Sequence, residues 1–271
     1  MPELAPPSLD QESRFHDNWA AAIDPGEVMV DASFEACTMP ENRRIRQWLG
    51  DISGLSLLEL GCGAGEASVF FSKQGARVTA TDLSPGMLRL AKSVARVHGV
   101  SINAMLVSAD SIGAADASFD VVYAANVLHH TDLTKALDEI VRVLKPGGVF
   151  VAWDPLAHNP VINVYRRMAR QVRTADEHPL TMSQVRSLKR WFVEVDAAMT
   201  WLSTLTVFLK FYFIDRIDPN QERYWKKIIT DHEQLASQYN FFERLDKWLL
   251  RMFPFLRRYC WNVVIKCTKA A

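Results

Sequence analysis

The chain has 271 residues, 49% of them hydrophobic and 23% charged, enough apolar bulk for one large domain or two small ones around a sizeable core. Lys plus Arg equals Asp plus Glu, 31 each. No net field therefore draws the chain to nucleic acid or to an anionic membrane, and only local patches can do so.

The N-terminus, MPELAPPSLDQESR, is acidic and proline-rich, unlike a signal peptide. Leu57 to Leu60 is a short apolar run after Gly54, as in a buried strand. Gly61, Gly63 and Gly65 follow, a spacing that turns the chain sharply and lets a ligand approach the backbone. From about Glu66 the pattern becomes helical, with Ala67, Ser68, Val69 and Phe70 suited to packing on a sheet. The free N–H groups of that helix start point into the turn.

RVTATDLS (77–84) alternates as a second strand ending in Asp82. A carboxylate there, about 20 residues beyond the glycine turn, is placed to accept hydrogen bonds from a ribose diol. A plain tight turn explains the glycines alone, but not Asp82 in register with them. A dinucleotide fingerprint, GxGxxG, would need a third glycine at Glu66 or Ser68. Glu59 and Glu66 flank the turn with negative charge, which suits a ligand carrying an ammonium and a sulfonium better than a pyrophosphate. SPGMLRLAKSVARV reads as a helix with Ser84 as N-cap and Pro85 in the first turn. By periodicity Met87 falls on its core face.

ELGCGAGE followed by VTATDLS resembles the first two motifs of class I S-adenosylmethionine-dependent methyltransferases. Within that family it is most similar to the branch containing quinone-ring C-methyltransferases and many small-molecule methyltransferases. SADSIGAADASFDVVYAANVLHH (108–130) resembles the family's third and fourth strands. VRVLKPGGVFVAWD (141–154) resembles its helix, Lys-Pro-Gly-Gly turn and fifth strand. The resemblance covers about residues 55 to 154. It implies an α/β fold with a Rossmann-like, doubly wound, seven-stranded and mostly parallel sheet, a helical cap, and S-adenosylmethionine as cofactor. It also implies roles. The backbones of Gly61, Cys62 and Gly63 would line the methionine moiety, with Glu59 just before them, and Asp82 would hold the ribose. Leu83 and Met87 would flank the adenine. Asp110 would accept from the adenine amino group with Ser111 beside it, and Asn126 would lie near the amino acid and sulfonium. RFHDNWAAAID (14–24) would be a helix over the cofactor site, with Phe15, His16 and Trp19 as candidate pocket walls.

Methyl transfer from a sulfonium is an in-line displacement that needs alignment first, and a base only where the nucleophile must lose a proton. His130 and His129, just after Asn126, are the candidates for base or substrate-orienting group. The competing reading is that one of them caps the next helix, although Thr131 or Asp132 can do that. WDPLAHNPVINVYRRMARQVRTADEHPL (153–180) gathers Asp154, His158, Tyr165, Arg166, Arg167, Arg173, Asp176, Glu177 and His178. Arg166 and Arg167 could hold an anionic substrate group. Asp154, His158 and the Asp176–His178 run could ligate a divalent ion, but they lack a repeated helical spacing, and no metal is assigned. The whole stretch could equally be an ion-paired helix and loop. Trp19, Asp154, His158, Tyr165 and Arg166 stand as the substrate-side candidates.

TMSQVRSLKRWF (181–192) reads as a helix capped by Thr181 or Ser183, VEVDAAMT as a strand, and RYCWNVVIKCTK (258–269) as the last strand, which the family resemblance makes antiparallel. The most apolar stretch, MTWLSTLTVFLKFYFI (199–214), carries Lys210 and falls short of the roughly 20 residues a spanning helix needs. The insertion at about 205–257 holds two amphipathic patterns. One carries Trp225, Ile228 and Ile229, the other Phe241, Phe242, Leu245, Trp248, Leu249 and Met252. Such stripes read as core or subunit contact, or as a lid or lipid surface where Arg251, Arg257 and Arg258 adjoin them. The four cysteines, Cys37, Cys62, Cys260 and Cys267, form no CxxC pair, so they read as free thiols in a reducing compartment.

The expected organisation is one domain, 1–271. It comprises an N-terminal helical segment (1–50), a cofactor core (51–154), substrate-side helices and insertion (155–257) and a last strand (258–271). The expected function is methyl transfer to a small or medium apolar acceptor at O or C, in the cytoplasm, with no nucleic-acid partner. A quinone or lipid acceptor reached by peripheral membrane contact is the alternative. A nicotinamide oxidoreductase or a non-catalytic cofactor-binding protein are more distant rivals.

Overall fold

The computed structural model describes residues 9–168 and 177–271. Arg173 and Asp176 lie outside the described residues. In chain order the elements begin with helices α1 (Leu9–Ala20), α2 (Ala32–Glu35) and α3 (Pro40–Leu49). The alternating half follows: β1 (Ser56–Leu60), α4 (Glu66–Lys73), β2 (Arg77–Asp82), α5 (Pro85–Val97), β3 (Asn103–Leu106), β4 (Phe119–Ala125), α6 (Leu133–Val143) and β5 (Leu144–Pro155). Then come α7 (Pro160–Met168), α8 (Met182–Ser187), β6 (Glu194–Thr200), α9 (Thr206–Phe213), α10 (Tyr224–Thr230), α11 (His232–Met252) and β7 (Asn262–Thr268).

The seven strands form one sheet in the order β3-β2-β1-β4-β5-β7-β6. The first five pair in parallel, and β7 lies antiparallel between β5 and β6. This is the expected doubly wound sheet, and its strand order reverses direction between β1 and β4. Ligands in open α/β sheets bind at the carboxyl ends beside such a reversal. Successive residues of the central strands feed opposite layers. Leu57, Val121, Tyr123 and Val151 pack with α4 and α5, including Phe70, Phe71, Met87 and Val94. Leu58, Leu60, Val122, Ala124, Phe150 and Ala152 pack with Leu137, Ile140, Val185 and Leu188 on the other face. Burial on both faces explains why these strands read as near-continuous apolar runs.

Local signals set several boundaries. Ser84 Oγ accepts the Met87 N–H, Asp132 accepts N–H groups of Thr134 and Lys135, and Thr181 forms a capping box with Gln184. One boundary differs from the sequence reading. The Lys145-Pro146-Gly147-Gly148 stretch lies inside β5 rather than as a turn ahead of it. Phe119 pairs with Leu144 and Val121 with Val149, so the intervening residues bulge from the ladder. Lys145 Nζ holds the bulge through Asp120, at 2.8 and 2.9 Å.

The insertion folds as a cap with its own core. Tyr165, Trp201, Phe208, Phe211, Tyr224, Ile228, Ile229 and Tyr239 form a buried aromatic and aliphatic cluster. Asp246, buried on α11, is its polar anchor. Its carboxylate accepts the N–H groups of Leu202, Ser203 and Thr204 and both hydroxyls, at 2.5–3.3 Å. These are the orphan donors at the start of the turn leading into α9. The Asp246→Ala variant should lose about 1–3 kcal/mol of unfolding free energy, because buried donors are left without an acceptor. Denaturant titration checks this, and a loss within error would show that water replaces the carboxylate.

Candidate active site

The glycine turn joins β1 to α4 and is braced from the neighbouring strand. Cys62 N–H donates to Thr81 O at 2.7 Å, and Gly65 N–H donates to Cys62 O at 2.8 Å. Gly63 N–H donates to Asp82 Oδ2 at 3.0 Å, while Ser84 N–H donates to Asp82 Oδ1 at 2.9 Å. Asp82 thus ties together the turns after β1 and β2. The backbone N–H groups of Cys62 and Gly63 are spent inside the fold, so these residues can line a ligand only through their carbonyl and Cα faces. Gly61 and Gly65 are glycines for space as well as for positive φ. A Cβ on Gly61 would meet Val127 Cγ2 at 2.5 Å, and one on Gly65 would meet Ala91 Cβ at 2.7 Å.

Three acids surround this turn. Glu59 is buried beneath it and bonded by Ser68 Oγ. Burial pushes its carboxyl up to about 8, with Glu66 and Asp82 adding to the rise. Burial also raises Glu66, which Lys226 of α10 opposes, and raises Asp82, which His16 of α1 opposes. An acid cluster under a bend that points to the sheet edge is a low-dielectric site for a cation.

Helix α1 covers this edge. Ser13 Oγ donates to Leu83 O at 3.0 Å, and Asp17 Oδ1 accepts Ser84 Oγ–H at 2.6 Å and Gly86 N–H at 2.7 Å. Those bonds hold the Asp17 carboxyl below its usual range. A Cβ on Gly86 would come within 2.6 Å of Asp17 Oδ1, so the helix start accepts α1 only because residue 86 is glycine. Trp19 is half-buried beneath the Arg223 guanidinium, whose Cζ lies 4.0 Å from the ring centroid. Leu83 is half-buried at the same edge. Met87 differs from the expectation: it is fully buried in the sheet core and presents no surface to an adenine. Cys62 likewise turns its side chain into a small cluster with Ala80, Leu88 and Ala91, where burial raises its thiol well above the usual range.

Asp110 lies in the first part of the loop after β3. Its Oδ2 accepts the Asp132 N–H at 3.4 Å, whereas its buried Oδ1 has no hydrogen-bond partner. Burial raises its carboxyl. Ser111 beside it is exposed. Asn126 follows β4 in the left-handed region, φ +56°, which asparagine tolerates better than most residues. Its N–H donates to Trp153 O at 3.0 Å.

Next come the histidines, on a 3₁₀ turn, Leu128–His130. His129 is buried, and its Nδ1 lies 2.6 Å from Asp154 Oδ1. Asp154 has no exposed surface and also accepts the N–H groups of Leu128 and His129, at 3.3 and 3.2 Å. It therefore fixes the imidazole from behind and cannot touch an acceptor itself. His130 is half-buried, its ring 4.0 Å from that of His129 between centroids. Neither histidine caps α6, since Asp132 does. His178 N–H donates to His129 O at 2.8 Å, which places Glu177 beside the pair.

The remaining substrate-side candidates separate. Tyr165 packs its ring against Phe208 and Tyr224 in the cap core rather than lining an open wall. His158 is half-buried in the turn between β5 and α7. Arg167 is exposed. Arg166 stands apart: Nη1 donates to Asn163 Oδ1 at 2.9 Å, but Nε and Nη2 are buried with no hydrogen-bond partner among the described residues. Desolvation lowers its guanidinium to about 10.

A seven-stranded sheet of this order, with an acid-lined glycine turn and a carboxylate ending the second strand, defines the class I S-adenosylmethionine-dependent methyltransferase fold. Residues 58–152 match the sequence model of a family described as a methyltransferase domain. A ubiquinone biosynthesis O-methyltransferase of Methylobacterium sp. is 35% identical over 102 residues, 37% of this chain and 41% of that protein. A malonyl-[acyl-carrier protein] O-methyltransferase of Serratia marcescens is 32% identical over 137 residues, 45% of this chain and 52% of that protein. The chain thus spans about half the length of the curated relatives it matches. The crystal structure of Haemonchus contortus phosphoethanolamine N-methyltransferase 2 in complex with S-adenosyl-L-methionine has the same fold. Its TM-score is 0.57 at 19% identity, covering 86% of this chain and 52% of that one.

Glu59 sets a pH dependence of stability. Its folded pKa is raised from 4.5 to about 8, so between these values the folded state holds a proton that the unfolded state has released. Its contribution is present in full below about 4.5 and is lost as pH rises through about 8. Subtracting the urea-unfolding curve of Glu59→Gln from that of the parent chain at each pH should reveal this decline across the window, then a plateau. A flat difference would show Glu59 ionised throughout.

Proposed function

We propose that the chain transfers the methyl group of S-adenosylmethionine to a small or medium acceptor at oxygen or carbon. The observation that carries this is the acid-lined bend at the β1/β4 reversal, where Glu59, Glu66 and Asp82 gather and burial raises each carboxyl, so that a bound cation would stabilise their ionised forms. The matched domain and the methyltransferase relatives support the same reading. Asp82 would hold the ribose diol with its remaining lone pairs, Leu83 would meet the adenine, and Asp110 Oδ1 would accept from its amino group. Gly61 and Asn126 would flank the amino acid and sulfonium. The chain's own part in the reaction is alignment and exclusion of water, since the sulfonium activates its own methyl.

His129 is the better-built base. Asp154 fixes its tautomer and would stabilise an imidazolium, the role an aspartate plays behind a catalytic histidine. His130, more open, would orient the acceptor. Arg166, with two buried donors unfilled, would bind a carboxylate or phosphate on the acceptor. The second acceptor reading, a quinone or lipid met at a membrane surface, is favoured by one observation. Phe241, Trp248, Met252, Phe253 and Phe255 are exposed on and after α11, beside exposed Arg251, Arg257 and Arg258. No helix among the described residues is long and apolar enough to cross a membrane.

Labelled S-adenosylmethionine with cell extract should yield a product heavier by one methyl group in mass spectrometry, and S-adenosylhomocysteine should bind where NADH does not. Binding of NADH alone would overturn the reading. The Asp82→Ala variant should weaken cofactor binding by about 1–3 kcal/mol. His129→Ala should lower turnover about 10²–10⁴-fold at unchanged cofactor affinity, and full turnover would return His129 to a structural role. Sedimentation with anionic vesicles that vanishes on Arg257→Glu and Arg258→Glu would select the membrane acceptor.

A further inference from the structure

We propose that His129, His130 and Glu177 form a site for one first-row divalent ion of the zinc type, with Asp154 as the positioning residue behind it. The three side chains come from two segments: the 3₁₀ turn after β4 and the strand-like stretch before α8. One ligand atom from each lies within 4.8 Å of the others. Imidazole nitrogen binds such an ion at about 2.0–2.1 Å and carboxylate oxygen at about 2.0–2.2 Å. Adjacent donors on a tetrahedral ion then sit about 3.4 Å apart. Side-chain shifts on the order of 1 Å would close the set, without moving the backbone bond from His178 N–H to His129 O, 2.8 Å.

The surroundings are those of a metal ligand. With Nδ1 turned to Asp154 at 2.6 Å, His129 is left with Nε2 as its ligand atom. A ligating histidine almost always donates its other ring N–H to a carboxylate or carbonyl, which fixes the tautomer and raises the ligand's basicity. Asp154 has its own oxygens fixed by two backbone N–H groups, so the whole arm is rigid. Two imidazoles select zinc, iron, cobalt or nickel over magnesium and calcium, which take oxygen ligands. Two histidines and one glutamate leave a coordination position open, as catalytic rather than structural zinc sites do. A bound ion would occupy the Nε2 that the base role needs, so in the loaded site the ion, and not His129, would lower the acceptor's pKa; that use rests on the function proposed above, whereas binding of the ion does not. A protonated histidine paired with Glu177 would occupy the same atoms, and a titration with metal separates the two.

The test uses the full chain, stripped with EDTA and titrated with zinc sulfate by calorimetry, with neither cofactor nor acceptor present. One equivalent should bind. Glu177→Gln and His129→Ala should weaken binding at least about 10-fold, and Asp154→Asn, which removes no ligand, about 10–100-fold. Excess magnesium should not compete. X-ray absorption at the zinc edge should show nitrogen and oxygen neighbours with imidazole scattering. Circular dichroism confirms that each variant is folded, and the half-exposed Glu177 keeps the test decisive if the buried variants fail to fold. Less than one equivalent bound, equal affinity in folded Glu177→Gln, or sulfur neighbours would overturn the site. None of these results bears on methyl transfer, which the labelled-cofactor experiment decides separately.

Discussion

One carboxylate at the end of the second strand holds the cofactor edge together. Two parallel strands finish side by side, and each is followed by a turn whose N–H groups need acceptors. Asp82 accepts from both, Gly63 on one side and Ser84 on the other. Burial makes its charge expensive, so the same geometry that braces the turns leaves the edge short of positive charge. Burial makes Glu59 and Glu66 hold their protons more tightly as well, so a cation placed there would draw them toward their ionised forms. A cationic nucleoside would relieve that shortage, and the ligand site is in this sense an unfinished part of the fold.

A comparable economy operates at the ends of β4 and β5. These strands are neighbours, so the turn after one meets the last residues of the other. Asp154 gathers that turn's N–H groups and its first histidine together. A single buried acid thereby sets backbone path and ring orientation at once.

Much of the frame was legible in the residues. The strand ending at Asp82, the helix starting after Gly65, the cap at Asp132 and the antiparallel last strand all follow from local pattern or from motif order. What was not legible depends on contacts between distant segments. Periodicity alone puts Met87 in the core, and the structure agrees, so its assignment to the adenine wall came from motif position and was misleading. Asp154 looks like a pocket residue because it follows a strand, but strand alternation turns it inward behind His129. Tyr165 sits among polar neighbours in sequence, yet its ring completes the cap's aromatic cluster. Glu177 lies 47 positions beyond His130, and backbone bonds from His178 to His129 and between Leu180 and the end of β5 bring it to the pair. The Lys-Pro-Gly-Gly stretch reads as a turn by composition, but it is a bulge within β5, whose pairing with β4 resumes at Val149.

Trp19 and Trp225 come from opposite halves of the chain, and their rings meet edge to face, 6.0 Å between centroids, with Arg223 laid over the first. That stack ties α1 to the start of α10 in the cap, while Ser13 and Asp17 tie the same helix to the turn after β2. One short N-terminal helix thus bonds the sheet edge and the late insertion to each other, joining segments about 200 residues apart in the chain.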